Sequence, residues 1–496
     1  MLFNEQSFLF YFLPAVVVGL LVFRFKSVDL TSWWIILASF FFYGFHGWQH
    51  LPLLILSILI NYGLGFGIEK RAMSRSGYYL LVLGITCNLL VLAIYKYADF
   101  ITSNFHLEYS LNLTLPLAIS FFTFQQIAYL VDVRKGKVTT PSFTHYCTFI
   151  SFFPQLIAGP IVRCQQMIPQ LQKGALGRLS SKSFWSGICL FSIGLFKKSC
   201  LADGIRPLVD EIFSVSSDGI SLSLAEAWVA VLSFGLQIYF DFSAYSEMAL
   251  GLGLMLGLRL PLNFNSPYKA VNIVDFWRRW HITLSEFLRD YLYKPLGGNR
   301  LGVNRGVFNV MLVMILGGLW HGAGWTFIMW GLIHGCMIGI YHFFRGISKN
   351  NVQKTSSLLE NLLASFVTFV VVNVAWVFFR SEKMDSAFEM IKSLIGLNGI
   401  SLPRSFEFLP IGKLVSFTGL FPNHAVDLGL IVFLPVLLVI VWFAPNAYQL
   451  IGFNPKEDSD IAMPSFKIIF LCGLLFFFGI KVSFETLSYD FIYFRF

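Results

Sequence analysis

Charge is what this sequence has least of. Asp, Glu, Lys and Arg together make up 13% of its 496 residues, against about a quarter in a soluble domain. With 56% hydrophobic residues and 55 Phe besides, a water-soluble globular fold is excluded. Acidic residues are the scarcer sign, 27 against 36 Lys and Arg, which leaves a net charge of +9. The basic residues are spread over short loops rather than gathered in a patch, so nucleic acid is not an expected partner. Cysteine is sparse as well. The seven residues form no C-x-x-C and lie mostly inside apolar runs, which leaves no disulfide framework and no thiolate metal site. There is no P-loop, no G-x-S-x-G elbow, no H-E-x-x-H and no repeat period. His46 and His50 share an i,i+4 spacing in "HGWQH", but that loop between aromatic runs reads as an interfacial turn. No metal is expected.

What the chain does have is apolar runs. They fall near 7–23, 30–45, 51–67, 78–95, 113–132, 183–196, 224–257, 306–345, 360–379, 426–444 and 466–480. At about 20 residues per crossing, several hold two segments, so about 10–13 membrane segments are expected. The fold class is all-α, a polytopic integral membrane protein embedded in the lipid bilayer. The first run has no basic stretch before it and no small-residue cleavage site, so it reads as a retained span. Charge alternates between the early runs. Met1–Gln6 and "HGWQH" carry no Lys or Arg, Arg24/Lys26 and Lys70/Arg71/Arg75 follow their runs, and "RKGK" at 134–137 comes after a loop with only Lys96. The positive-inside rule then places the N-terminus outside the cytoplasm.

From about residue 146 to 335 the apolar sequence is interrupted by Pro, Gly and charge: "FFPQLIAGPIVR", "YFDFSAYSEM", "PLNFNSPYKA" and "DFWRRWHITLSEFLRDYLYKPLGGNR". Broken backbone at membrane depth survives only under protein or around a water-filled cavity, so this block is the expected functional centre. In "DFWRRWHITLSEFLRDYLY", Phe276, Trp280, Leu284, Phe287, Leu288 and Tyr291 follow helical steps along one face. Arg278, Arg279, Glu286, Arg289 and Asp290 tend toward the other, which predicts an amphipathic helix at an interface or along a polar cavity. His281 within it has no purpose in a plain anchor. In "GGLWHGAGWTFIMWGLIHG", His321 lies in a stretch with no Asp, Glu, Lys or Arg from Val307 to Ile340. An ionisable group there faces a cavity, bonds between helices or does chemistry, and imidazole is the side chain that exchanges protons near neutrality. His334, nearer the end of the same run, reads first as structural. The basic set Arg163, Lys197, Lys198, Arg278 and Arg279 suits either a polyanionic ligand or simple snorkelling.

At "FFPQLIAGPIVR", "QIYFDFSAYSEMALGLGLMLGLRLPLNFNSPY", "DFWRRWHITLSEFLRDYLYKPLGGNR" and "GGLWHGAGWTFIMWGLIHG" the chain resembles the membrane-bound O-acyltransferase (MBOAT) family, in its bacterial alginate and peptidoglycan O-acetylation branch. The likeness is specific over about 145–340 and extends to the opening "FNEQSFLFYFLP". It implies one domain over 1–496, a helical bundle with re-entrant or amphipathic helices around a central pore. It implies acyl transfer from a thioester donor, acetyl-CoA, to an extracytoplasmic envelope polysaccharide, with no permanently bound cofactor. A periplasmic SGNH-like acetyltransferase or esterase is the implied partner, and the bacterial inner membrane the implied location. His321 matches the family's signature histidine and His281 the second motif histidine. Trp320, Asn265 and Tyr268 are candidates to orient donor or acceptor, and Arg163, Arg278 and Arg279 to meet the donor's phosphates.

The related teichoic acid D-alanylation system has a small partner that ends in F-x-Y-x-x-F. The final "FIYFRF" repeats that pattern with Phe491, Tyr493 and Phe496. A phenol, with a pKa of about 10, leaves more readily than a sugar hydroxyl, so an acyl-tyrosine stays activated. Tyr493 is thus a candidate acyl relay, which requires an extracytoplasmic C-terminus. The same six residues suit an aromatic belt where a helix leaves the membrane. A polytopic transporter or flippase of an envelope precursor is the alternative reading of the broken helices, and acylation of a lipid or peptide a third.

Overall fold

The computed structural model describes residues 1–45, 47–107, 110–347, 357–401, 432–453, 461–485 and 489–492. His46 and Tyr493 lie outside the described residues. Among the described residues there are helices, turns and loops but no strand element. Of the helices among the described residues, eight are long and apolar enough to cross a membrane: Ser7–Arg24, Trp48–Lys70, Arg75–Asn104, Leu224–Met255, Val303–His321, Trp325–Phe344, Leu358–Arg380 and Phe466–Glu485. Val28–Gly44 and Phe433–Phe443 are shorter apolar helices. The apolar runs near 113–132 and 183–196 become Ile119–Arg134 and Ser181–Phe196, of 16 residues each. At 1.5 Å per residue Ile119–Arg134 spans about 24 Å, short of a hydrocarbon core of about 30 Å, whereas Ser181–Phe196 runs on into the π-helical Lys197–Ala202. The chain is an all-α polytopic membrane protein.

The chain divides into two compact units, the first from the described residues of Met1–Ser199, Phe242–Asn263 and Pro445–Phe496, the second from those of Cys200–Asp241 and Phe264–Ala444. The first unit is aromatic at its centre: the rings of Phe8 and Phe12 are 5.6 Å apart and those of Phe12 and Phe153 5.2 Å. Ser27 and Ser74 start two of its helices by accepting from the backbone N–H of Leu30 and Gly77, at 3.0 and 3.2 Å, each replacing a partner that the first turn lacks. The Pro- and Gly-rich stretch expected to break does so. Phe143–Ser151 ends, Phe153–Leu156 makes one turn, and Cys164 opens the next helix. Every residue from Tyr146 to Val162 is buried, which is how irregular backbone persists in a membrane fold.

The second unit is built on a helical hairpin. Val303–His321 and Trp325–Ile347 are joined by three residues around Gly322 and Gly324. The two helices touch backbone to backbone. A Cβ at Gly331 would collide with the Met314 carbonyl, and one at Gly318 with that of Phe327; small residues at such contacts are how spanning helices gain dispersion energy without a hydrophobic drive. The helix Leu358–Arg380 packs on the hairpin, started by a reciprocal cap in which Glu360 N–H donates to Ser357 Oγ and Ser357 N–H to Glu360 Oε2, at 3.1 and 3.0 Å. Its last residue, Arg380, is tied to Asp210 at 2.9 Å.

The segment predicted as one amphipathic helix is broken. Asn272 caps Ile273–Trp277, accepting from Asp275 N–H at 2.8 Å. The helix stops at Arg278, and Ile282–Leu288 begins after His281, whose backbone is left-handed at φ 40° and ψ 54°. A π-helical stretch, Arg289–Tyr293, follows. The apolar face is real, since Phe276, Trp280, Leu284, Phe287 and Leu288 are buried. The bend at His281 turns the imidazole inward, where a straight helix carries its side chains in fixed steps of 100°.

Candidate active site

His321 is the last residue of its helix and is 3% exposed. Helix termination places it there, at the sharp turn of the hairpin, so its ring meets neighbours from four stretches of chain. Trp320 lies 4.8 Å away between ring centres, Trp330 5.1 Å, Phe379 5.3 Å and His281 6.5 Å. Trp330 comes from the second arm of the hairpin and Phe379 from the end of Leu358–Arg380. The Arg380–Asp210 ion pair holds that helix end in place.

His281 is fully buried. It lies outside the spanning helices, and complete burial pushes its pKa down to about 3, because a charged imidazole is poorly solvated there. At neutral pH it therefore presents a neutral ring with one donor and one acceptor. Its ring centre lies 6.3 Å from that of Trp320. The two motif histidines and Trp320 thus come together across 40 residues of sequence.

The other candidates divide. Tyr268, in the short helix Pro267–Lys269, donates to the Gly235 carbonyl at 2.6 Å and accepts from Trp376 Nε1 at 3.2 Å. Its ring centre lies 6.3 Å from Trp280, the residue before His281. Burial pushes its phenol pKa well above the ordinary value, so it orients its neighbours and does not ionise. Asn265 is held through its backbone: its N–H donates to the Arg279 carbonyl at 2.9 Å. Arg279 itself pairs with Asp275 at 3.0 Å, and Arg278 is exposed. Arg163 belongs to the first unit, where its backbone N–H donates to Gln166 Oε1 at 2.9 Å. Lys197, also in the first unit, is neutralised by Glu247 at 2.8 Å. The basic set is thus partly engaged within the protein.

Tyr493 is outside the described residues, but Phe491 is within them. Its ring is buried, edge-on to Tyr245 at 4.7 Å and 4.4 Å beneath the Lys198 ammonium, all in the first unit. The residues that sequence reasoning missed are aromatic: Trp330 and Phe379 against His321, and Trp277 and Trp376 against His334. Aromatic residues are common throughout this chain, so nothing local marks those four.

Residues 71–379 match the family described as MBOAT, membrane-bound O-acyltransferase family. The chain is similar to a peptidoglycan O-acetyltransferase of Helicobacter pylori, 42% identical over 434 residues, covering 81% of each. It is 37% identical to a "Probable alginate O-acetylase AlgI" of Azotobacter vinelandii, over 81% of this chain and 79% of that one. A teichoic acid D-alanyltransferase of Bacillus subtilis is 28% identical over 76% of this chain and 98% of its own length. Buried histidines carried on a helical hairpin, the span of the match and these identities lead to one conclusion: the chain is an acyltransferase that belongs to the MBOAT family.

Proposed function

We propose that the protein takes an acetyl group from acetyl-CoA on the cytoplasmic side of the inner membrane and delivers it outside for O-acetylation of an envelope polysaccharide of the peptidoglycan or alginate type. The observation that carries this reading is the buried His321, caged by Trp320, Trp330 and Phe379 and facing the neutral His281. Acyl transfer from a thioester to a hydroxyl needs a base for the hydroxyl proton and a site that keeps water away from the acyl group. Aromatic walls meet the second need and His321 the first. The names of the similar proteins, which act on peptidoglycan and alginate, support the acceptor class.

In the proposed sequence the Tyr493 hydroxyl attacks the thioester carbonyl while His321 takes its proton. The C–S bond breaks, and the departing thiolate receives that proton. The acetyl-tyrosine then loses its acyl group to a hydroxyl outside, on a periplasmic SGNH-like partner or on the polymer, and the phenolate is reprotonated. His281 orients the hydroxyl or the carbonyl by hydrogen bonding. Both chain ends lie outside the cytoplasm in this scheme, since Tyr493 must reach the acceptor.

The test uses the full chain reconstituted in vesicles with radiolabelled acetyl-CoA. His321→Ala is expected to cut acyl transfer by at least about 100-fold, to a measurable residual rate, while the protein stays inserted. Transfer at the unaltered rate in that variant removes the assignment. Mass spectrometry of the C-terminal peptide is expected to find acetyl on Tyr493, and Tyr493→Phe to stop delivery. Undiminished delivery from Tyr493→Phe eliminates the relay but not the enzyme.

A further inference from the structure

A third histidine sits behind the site. His334, on the second arm of the hairpin, is completely buried. The indole Nε1 of Trp277 donates to its Nδ1 at 3.3 Å. An indole N–H has no acceptor capacity, so the imidazole nitrogen that meets it must be the unprotonated one. This fixes the tautomer: the single proton of His334 is on Nε2. Placing a proton on Nδ1 as well would set two N–H groups against each other, so His334 is barred from exchanging protons during a reaction cycle. It is no substitute base for His321.

What the ring does hold is aromatic. Trp277 is perpendicular to it at 5.3 Å between centres, and Trp330 lies 4.7 Å away at 61°. Trp277 and Trp330 also meet each other, at 5.8 Å. Trp330, 1% exposed, is the ring that stands edge-on to His321 at 5.1 Å and 87°. His334 Nε2 has no hydrogen-bond partner among the described residues, and neither has Trp330 Nε1. A buried donor without an acceptor is destabilising, so a helix selected only for packing gains by placing Leu or Phe at this position. The imidazole offers something Leu lacks, an acceptor that fixes Trp277 in one rotamer and, through it, the face of Trp330.

We propose that His334 is a positioning residue for the His321 reaction, a locked neutral imidazole that sets Trp277 and Trp330 and so aims the base. This rests on the reading of His321 as that base. The site accordingly has two kinds of histidine. One moves a proton, and the other is kept from doing so by its hydrogen bond.

The experiment measures kcat and KM for acetyl transfer by full-length protein in vesicles, normalised to folded protein. His334→Leu and Trp277→Phe each remove one side of the hydrogen bond. Each is expected to lower kcat about 10- to 100-fold, the scale of a misplaced catalytic group, with KM nearly unaltered. The double variant is expected to be no worse than either alone, because both act on one interaction. His334→Asn is expected to recover most of the loss, its Oδ1 standing where Nδ1 stood. Placed in the His321→Ala background, His334→Leu is expected to add nothing. The proposal is overturned if His334→Asn is as impaired as His334→Leu, if His334→Leu matches the unaltered protein, or if the loss follows only the amount folded. A His321→Ala protein that still transfers acetyl at full rate instead refutes the reading of the base. A further loss from His334→Leu in that background refutes the positioning role alone.

Discussion

Two pairs of spanning helices bury polar side chains, and they do it differently. In the first unit, Leu51–Lys70 and Arg75–Asn104 carry Asn61 and Asn88. Asn88 Nδ2 donates to Asn61 Oδ1 at 2.7 Å and to the Gly84 carbonyl at 2.8 Å. Asn61 Nδ2 returns the bond to Asn88 Oδ1 at 3.3 Å and reaches the Ser57 carbonyl at 2.9 Å. Every amide atom is used, and the pair joins two helices. In the second unit, the hairpin Val303–His321 and Trp325–Ile347 carries His321 and His334 among indole and phenyl rings. A polar group that answers another is a fastener. On the hairpin, His334 takes a hydrogen bond from Trp277 and His321 stands against the rings of Trp320, Trp330, Phe379 and His281, so aromatic neighbours rather than a matching amide set each histidine.

That contrast can be broken at four places, taken from the largest expected effect to the smallest. His321→Ala should cut acyl transfer by at least about 100-fold, the usual worth of a general base, with thermal stability in detergent little altered. If stability collapses and activity per folded molecule survives, the two helix pairs are alike and the histidine is a fastener too. Gly331→Ala should cost stability by up to about 3 kcal/mol, because its Cβ meets the Met314 carbonyl, which has no rotamer to yield. A melting temperature equal to that of the unaltered protein contradicts the close hairpin.

The third place is the buried ring of His281. Above its ordinary pKa of 6.5, folded and unfolded chains both carry it neutral and it contributes no pH dependence. As pH falls below that value the unfolded chain takes up a proton that the folded chain refuses until about 3. Stability is therefore lost on acidification, by about 2 kcal/mol at about pH 5. His281→Asn, which tolerates the left-handed backbone, should remove that part of the slope of melting temperature against pH. An unchanged slope means that the ring is solvated. Finally, Asn61→Leu strands Asn88 and should cost about 1 kcal/mol, measured by denaturation in mixed micelles, with transfer per folded molecule retained. Asn61→Leu with Asn88→Leu should recover most of that loss. A double variant worse than the single one shows that the pair does more than fasten.

The membrane character, the all-α class and the broken block around residues 146–162 were legible in the sequence, because each follows from local apolarity or from Pro and Gly. His321 was conspicuous as an ionisable group in an uncharged stretch, and His281 as an imidazole in a charged amphipathic segment where a plain anchor has no use for one. The straight amphipathic helix was not. Helical steps along 276–291 describe which face is buried, but a single left-handed residue at His281 leaves that periodicity almost intact. The aromatic surroundings of His321 and His334 were not legible either. Trp277, Trp330, Trp376 and Phe379 converge from three segments, and in a chain with 12 Trp and 55 Phe no one ring stands out.

By itself, then, the sequence determined that this chain must live in a bilayer, which residues are ionisable at depth, and which family motifs they carry. These are properties of composition and short spacing, and burial in lipid acts on each segment separately. Only the tertiary structure decided what surrounds each histidine: which one meets the other at 6.5 Å, and which one is pinned in a single tautomer by an indole 57 residues away in sequence. Hydrogen-bond direction and ring contact depend on distances between segments, and such distances are set by the packing of the whole second unit.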